Sequence, residues 1–110
     1  MPTADKIQNL NQLLTTVESW KSNNQTIVFT NGCFDILHLG HIDYLEKSRQ
    51  KGDKLIIGLN TDSSIKILKG ENRPINNEEF RGRMLAALSF VDAVVLFSDE
   101  TPLQLIKTLK

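Results

Sequence analysis

Three observations predict an α/β fold built on a parallel sheet. Short apolar runs, TIVFTN, KLIIGLN and AVVLF, alternate along the chain with segments of helical periodicity. These runs are apolar on successive positions and not on alternate ones, as expected of strands covered by helices on both faces. The first run also opens directly into a glycine-containing loop that leads into a helix, the start of a βαβ unit.

Each element follows from local chemistry. Ile7, Leu10, Leu13, Leu14, Val17 and Trp20 recur at steps of three and four and predict an amphipathic helix over residues 5–21, stopped by SNNQ. Residues 1–25 are thus expected to form an N-terminal helix and linker, and residues 26–110 the main domain. Thr26–Asn31 is β-branched and aromatic, a strand, and the segment from Leu39 to Gln50 is a helix ended by Gly52. Lys54–Asn60 is the second strand. Thr61 or Asp62 caps a short helix reaching Leu68, and GENRP breaks the pattern. Asn77 then caps a longer helix with Glu78 and Glu79 in its first turn, expected to bury Met84, Leu85 and Leu88. Ala93–Phe97 is the third strand, and Thr101 with Pro102 opens a last helix. Right-handed crossovers place the strands in the order 3-2-1, half of a Rossmann-like sheet. On that order Ile27, Val28 and Phe29 occupy an edge, although edges are usually blunted; something is expected to cover them.

Composition narrows the function. The 110 residues hold 13 basic and 13 acidic side chains, so no global field draws the chain to nucleic acid or an anionic membrane. No leader pattern and no run of about 18 apolar residues is present, so a soluble cytoplasmic protein without a membrane partner is expected. A lone cysteine, Cys33, forms no internal disulfide.

The chemistry gathers in TNGCFDILHLGH, Thr30–His41, which holds both histidines and the cysteine. It is the loop leaving the first strand, at the carboxyl end where open α/β sheets bind ligands. Gly32 and Gly40 let backbone approach a ligand, and the N–H groups opening the next helix favour phosphate. His38 and His41 stand three apart, so both imidazoles can face one bound group and donate hydrogen bonds to phosphate oxygens. The plainer alternative is one histidine capping the helix and one exposed. A zinc pair fits poorly, because helical zinc histidines usually stand four apart and no other ligand cluster exists. A Cys33 nucleophile fits poorly as well, since Cys33 follows the strand directly and reads as small packing.

NGCFDILHLGH resembles the G-x-F-D-x-x-H-x-G-H signature of the cytidylyltransferase-like nucleotidyltransferases. The similarity continues through GLNTDSSIKILKGENRPINNEEFRGRMLAAL and VDAVVLFSDETPLQLI, which resemble the adenylyltransferase domain of bacterial ADP-heptose synthases. The resemblance implies transfer of AMP from ATP to a sugar 1-phosphate, heptose 1-phosphate, with release of pyrophosphate and with Mg²⁺ accompanying the triphosphate. It implies that His38 and His41 contact the triphosphate and transition state, and that Thr30, Asn31, Gly32, Cys33 and Phe34 give contacts to nucleotide and acceptor. Asp35 matches the signature's aspartate, orienting a histidine or the metal's water shell, or merely capping a turn. The resemblance implies that Lys66, Lys69, Arg73 and Arg81 form a basic region that helps bind phosphates, with Lys69 catalytic beside the histidines and with Lys69 and Arg73 flanking Gly70 in a lid-like loop; the plainer alternative is a solvated charged face. Asp62 is a candidate contact that serves equally as a helix cap.

Family domains continue past the equivalent of Lys110 through further strands, one of which would lie beside the first. The chain is therefore expected to be short of a full family domain, and either to pair its first-strand edge with a second copy or to bind nucleotide with weakened affinity. Two other functions stay open: a cytidylyltransferase such as a CDP-glycerol-forming enzyme, and a non-catalytic nucleotide-binding or oligomerisation module.

Overall fold

A computed structural model of the chain describes residues 2–98 and 106–107. The elements are a 3₁₀ turn at Thr3–Lys6, α1 (Leu10–Ser22), β1 (Ile27–Gly32), α2 (Leu39–Arg49), β2 (Lys54–Asn60), α3 (Asp62–Lys69), α4 (Glu78–Ala86) and β3 (Ala93–Phe97). The helix expected to open at Thr101 lies outside the described residues, apart from Ile106 and Lys107, which are helical.

The three strands are parallel and ordered β1-β2-β3, the 3-2-1 order expected from the crossovers. In β2 the residues Leu55 to Asn60 are all buried, which explains its unbroken apolar run. Leu55, Ile57 and Leu59 point to one face, where they pack with Leu45 of α2, Leu85 and Ala86 of α4, Val91 and Val94. Ile56 points to the other, joining Leu13 and Val17 of α1 with Ala93, Val95 and Phe97. Full burial of each such aliphatic side chain contributes about 1.5–3 kcal/mol. The sheet therefore has a helix layer on each side, and α1 is one of them.

Two expectations need correction. The first helix begins at Leu10, not residue 5. Asn9 Oδ1 accepts the Gln12 N–H at 2.8 Å and Gln12 Oε1 accepts the Asn9 N–H at 2.9 Å, a reciprocal cap that fixes the start. Ile7, which fitted the helical period, instead forms a parallel bridge to Val94, with Gln8 N–H donating to the Val94 carbonyl at 2.9 Å. Met84 is exposed, and Leu88 only half-buried, because α4 turns Arg81, Gly82, Leu85 and Ala86 inward.

The bridge at Ile7 covers part of the outer edge of β3. At β1 no strand among the described residues pairs with the outer edge. Its side chains are nonetheless half-buried, Val28 on the α2 and α4 face and Ile27 and Phe29 on the α1 face. Among the described residues the faces of this strand are covered and its outer ladder is not.

Gly32, Asn60 and Phe97 end the strands on one side of the molecule, and Thr61 N–H donates to the Phe97 carbonyl across that end. The loops that leave this end build the candidate site.

Candidate phosphate crevice

A crevice of about 410 Å³ opens at the carboxyl end of β1, lined by Asn31 to Ile36, His38, His41, Tyr44, Lys69 and Arg73. That volume lies within the range of small-ligand sites.

The histidine wall is organised by backbone. His38 is the N-cap of α2, in extended conformation, and its Nδ1 accepts the Gly40 N–H at 3.0 Å. His41 Nδ1 accepts the His38 N–H at 3.3 Å. The rings stack with centroids 3.9 Å apart and planes 27° from parallel, and Phe34 meets His41 edge-on at 5.3 Å. Since each Nδ1 is an acceptor, each neutral imidazole carries its proton on Nε2, which keeps a donor beyond the cap. Capping and phosphate binding are therefore not alternatives, because they use different nitrogens of one ring. Burial, and then the neighbouring His38 charge, pushes the His41 pKa below its ordinary 6.5, so His41 is neutral at pH 7 in the free protein.

Gly40 is required by this packing. A Cβ there would stand 2.8 Å from His38 Cε1 and 3.1 Å from its Nδ1. Phe34 sits at a φ of 48°, a left-handed conformation rare for a bulky residue, and its ring lies where a Cβ on Gly32 would intrude.

A second wall of the crevice, from the α3 side, carries Lys69, the last residue of α3, and Arg73. Among the described residues the Lys69 ammonium has no hydrogen-bond or ion-pair partner. Arg73 Nη1 donates to Asp35 Oδ2 at 3.1 Å. Asp35 also accepts the Ile75 N–H at 2.9 Å and the Asn76 N–H at 2.8 Å, and its carbonyl accepts the Asn76 side-chain amide. Burial alone would raise the Asp35 carboxyl, but the Asn76 and Ile75 backbone donors and the Arg73 guanidinium outweigh it and hold the carboxyl below its usual range. Asp35 thus ties the loop of residues 73–76 to the histidine loop; in this geometry it orients neither histidine.

Beneath both walls lies Arg81, only 1% exposed. Its Nε donates to the Asn76 carbonyl at 2.9 Å and its Nη1 to the carbonyls of Cys33 at 2.7 Å and Asn60 at 2.8 Å. Its Nη2 donates to Asp62 Oδ1 at 2.7 Å. A guanidinium enclosed in this way does not reach the crevice, which corrects the expectation that Arg81 binds phosphate.

The cytidylyltransferase-like family model matches residues 29–110. The chain belongs to that family. Among curated proteins it is 53% identical over 107 residues to the "Bifunctional protein HldE" of Methylobacillus flagellatus and 59% identical over 105 residues to that of Campylobacter jejuni. These matches cover 97% and 96% of this chain and 22% of each relative, so the chain spans about a fifth of their length. Among solved structures it matches the lipopolysaccharide core biosynthesis protein of Thermoplasma volcanium with a TM-score of 0.68 and 33% identity, over 77% of this chain and 68% of that one.

The residues expected from the sequence to build the site divide by what they touch. Asn31, Gly32, Cys33, Phe34, Asp35, His38, His41, Lys69 and Arg73 line the crevice. Gly40 supports it from behind His38. Thr30 is buried and does not line it; its Oγ1 stands 3.3 Å from the Tyr44 hydroxyl. Cys33 Sγ lies 3.7 Å from Asn60 Oδ1. Asp62 is held by Arg81, and Lys66 is exposed in the last turn of α3, outside the crevice lining. Sequence reasoning missed Tyr44 and Ile36 as lining residues. Tyr44 follows His41 by three along α2, so helical spacing alone could have found it.

Proposed function

We propose that this domain transfers AMP from ATP to a sugar 1-phosphate, heptose 1-phosphate, releasing pyrophosphate. The observation that carries the proposal is that His38 and His41, whose Nδ1 atoms are occupied as acceptors so that Nε2 is left as the donor, line one crevice together with Lys69. The likeness to HldE proteins and to a lipopolysaccharide core biosynthesis protein supports the sugar acceptor.

In this reading a phosphate oxygen of the acceptor attacks the α-phosphorus in line, and the bond to the β-phosphate oxygen breaks. The protein's contribution is placement and stabilisation of charge on the transferring and leaving oxygens, with no covalent enzyme intermediate. The two imidazoles donate from Nε2, the start of α2 adds its partial positive charge, and Lys69 answers from the other wall. ATP enters as its Mg²⁺ complex, with the ion written as part of the substrate. Asp35, the carboxylate in the crevice lining, is paired with Arg73, so it does not fit a resident metal site, and no step is drawn through one.

Residues 26–110 carry the transferase in this proposal, and α1 braces the back of its sheet. A cytoplasmic location fits the proposed use of ATP; no helix among the described residues is long and apolar enough to cross a membrane. The open β1 edge fits pairing with a second copy, a state that sedimentation would report as a dimer.

Pyrophosphate release tests the reading. ATP with heptose 1-phosphate should give pyrophosphate; CTP with glycerol 3-phosphate should not. Release only with CTP would assign a cytidylyltransferase reaction instead. No release with any triphosphate would leave a nucleotide-binding module.

A further inference from the structure

Arg81 makes contacts that phosphate binding does not account for. Its four hydrogen bonds, from 2.7 to 2.9 Å, reach four separate segments of the chain. Cys33 belongs to the turn that leaves β1, and Asn60 ends β2. Asp62 opens α3, and Asn76 ends the loop that follows it, so Arg81 grips both ends of the segment that carries Lys69 and Arg73.

Stability alone is a poor reason for such a group. A buried charge loses its hydration, and apolar side chains of similar volume often replace buried ion pairs at no cost in stability. What only a guanidinium supplies is a flat fork of donors in fixed directions. Here the fork satisfies three carbonyls and one carboxylate at once, which fixes the histidine turn relative to α3 and the loop of residues 73–76.

We propose that Arg81 is a positioning residue that sets the spacing between the two walls of the crevice, so that His38 and His41 and Lys69 address the same polyphosphate. It acts through Cys33, Asn60, Asp62 and Asn76 and touches no ligand. The proposal rests on the phosphate reading of the crevice and assigns a coupling that reading does not require.

The test is a binding cycle with inorganic tripolyphosphate, followed by calorimetry on the whole chain, with melting curves as a check on folding. Lys69→Ala in the native background should weaken binding about tenfold, the loss of a charge-assisted contact. Arg81→Met leaves three carbonyls and the Asp62 carboxylate without their donor, so it should melt lower than the native chain while staying folded at the calorimetry temperature, and it should also weaken binding, by about tenfold or more. In that background Lys69→Ala should have almost no further effect, because the two walls no longer share one ligand. A merely structural arginine would leave the Lys69 contribution intact in Arg81→Met, and that result overturns the proposal. Arg81→Lys provides a second variant, since one ammonium cannot span the same acceptors; it should lose the coupling too. If both variants unfold, Arg81 holds the fold and not the crevice, and the proposal is again overturned. If the native chain itself fails to bind tripolyphosphate, the phosphate reading falls first, a different failure from an intact Lys69 effect.

Discussion

The wall bearing His38 and His41 is fixed by its own backbone, whereas the wall bearing Lys69 and Arg73 is fixed from a distance. In the first, ring nitrogens accept N–H groups two or three residues away. In the second, the anchors are Asp35, 38 residues before Arg73, and Arg81, whose bond to Cys33 spans 48 residues. A donor array set by local chain geometry is present before any ligand arrives. An array set by long-range ion pairs depends on those pairs, and on the pH that charges them.

That difference can be broken at graded cost. His41→Ala removes an Nε2 donor from the locally built wall and should lower turnover by about 10²–10³-fold, as loss of a preorganised transition-state donor does, with the melting temperature little changed. Asp35→Asn attacks the other wall. It weakens two backbone contacts and releases Arg73, and should cost about 1–3 kcal/mol in denaturant unfolding. The sign with pH follows from its depressed folded-state pKa. The Asp35 contribution is fully present above the unfolded value of 3.8 and is lost as pH falls through the lower folded value, so the variant should show a flatter acid limb. His41 adds a milder slope at higher pH. Its folded pKa is also below the unfolded 6.5, but as a base it must be charged at a cost, so stability falls as pH drops from about 7.

Gly40→Ala separates folding from function on the histidine wall. Alanine favours the helix by up to about 1 kcal/mol, while its Cβ displaces the His38 ring. The expected result is an unchanged or higher melting temperature with triphosphate binding weakened about tenfold. Gly70→Ala should have the smallest effect. Gly70 has a φ of 101° and no atom near a built Cβ, so only backbone strain opposes the change, about 1 kcal/mol, read by denaturant unfolding.

The same contrast explains what the sequence made legible. The strands, the caps at Thr61 and Asn77 and the histidine turn are written in neighbouring residues, and sequence reasoning placed each of them. Ile7 was misplaced because its helical spacing from Leu10 and Leu14 competes with a bridge to Val94, a partner no local pattern reveals. Arg81 and Asp35 kept their positions but changed their work. A basic residue in a basic stretch looks like a phosphate ligand until its carbonyl partners, 5 to 48 residues away, are seen.

The central claim is that both histidines cap α2 through Nδ1 and present Nε2–H to a polyphosphate. The chain has only two histidines, so a long-range ¹⁵N NMR spectrum of their rings is directly assignable. In the free protein near pH 7.5 both rings should show a protonated Nε2 and an unprotonated Nδ1, and ATP should shift both Nε2 signals. Protonated Nδ1 nitrogens, or Nε2 signals unmoved by saturating ATP, would contradict the account.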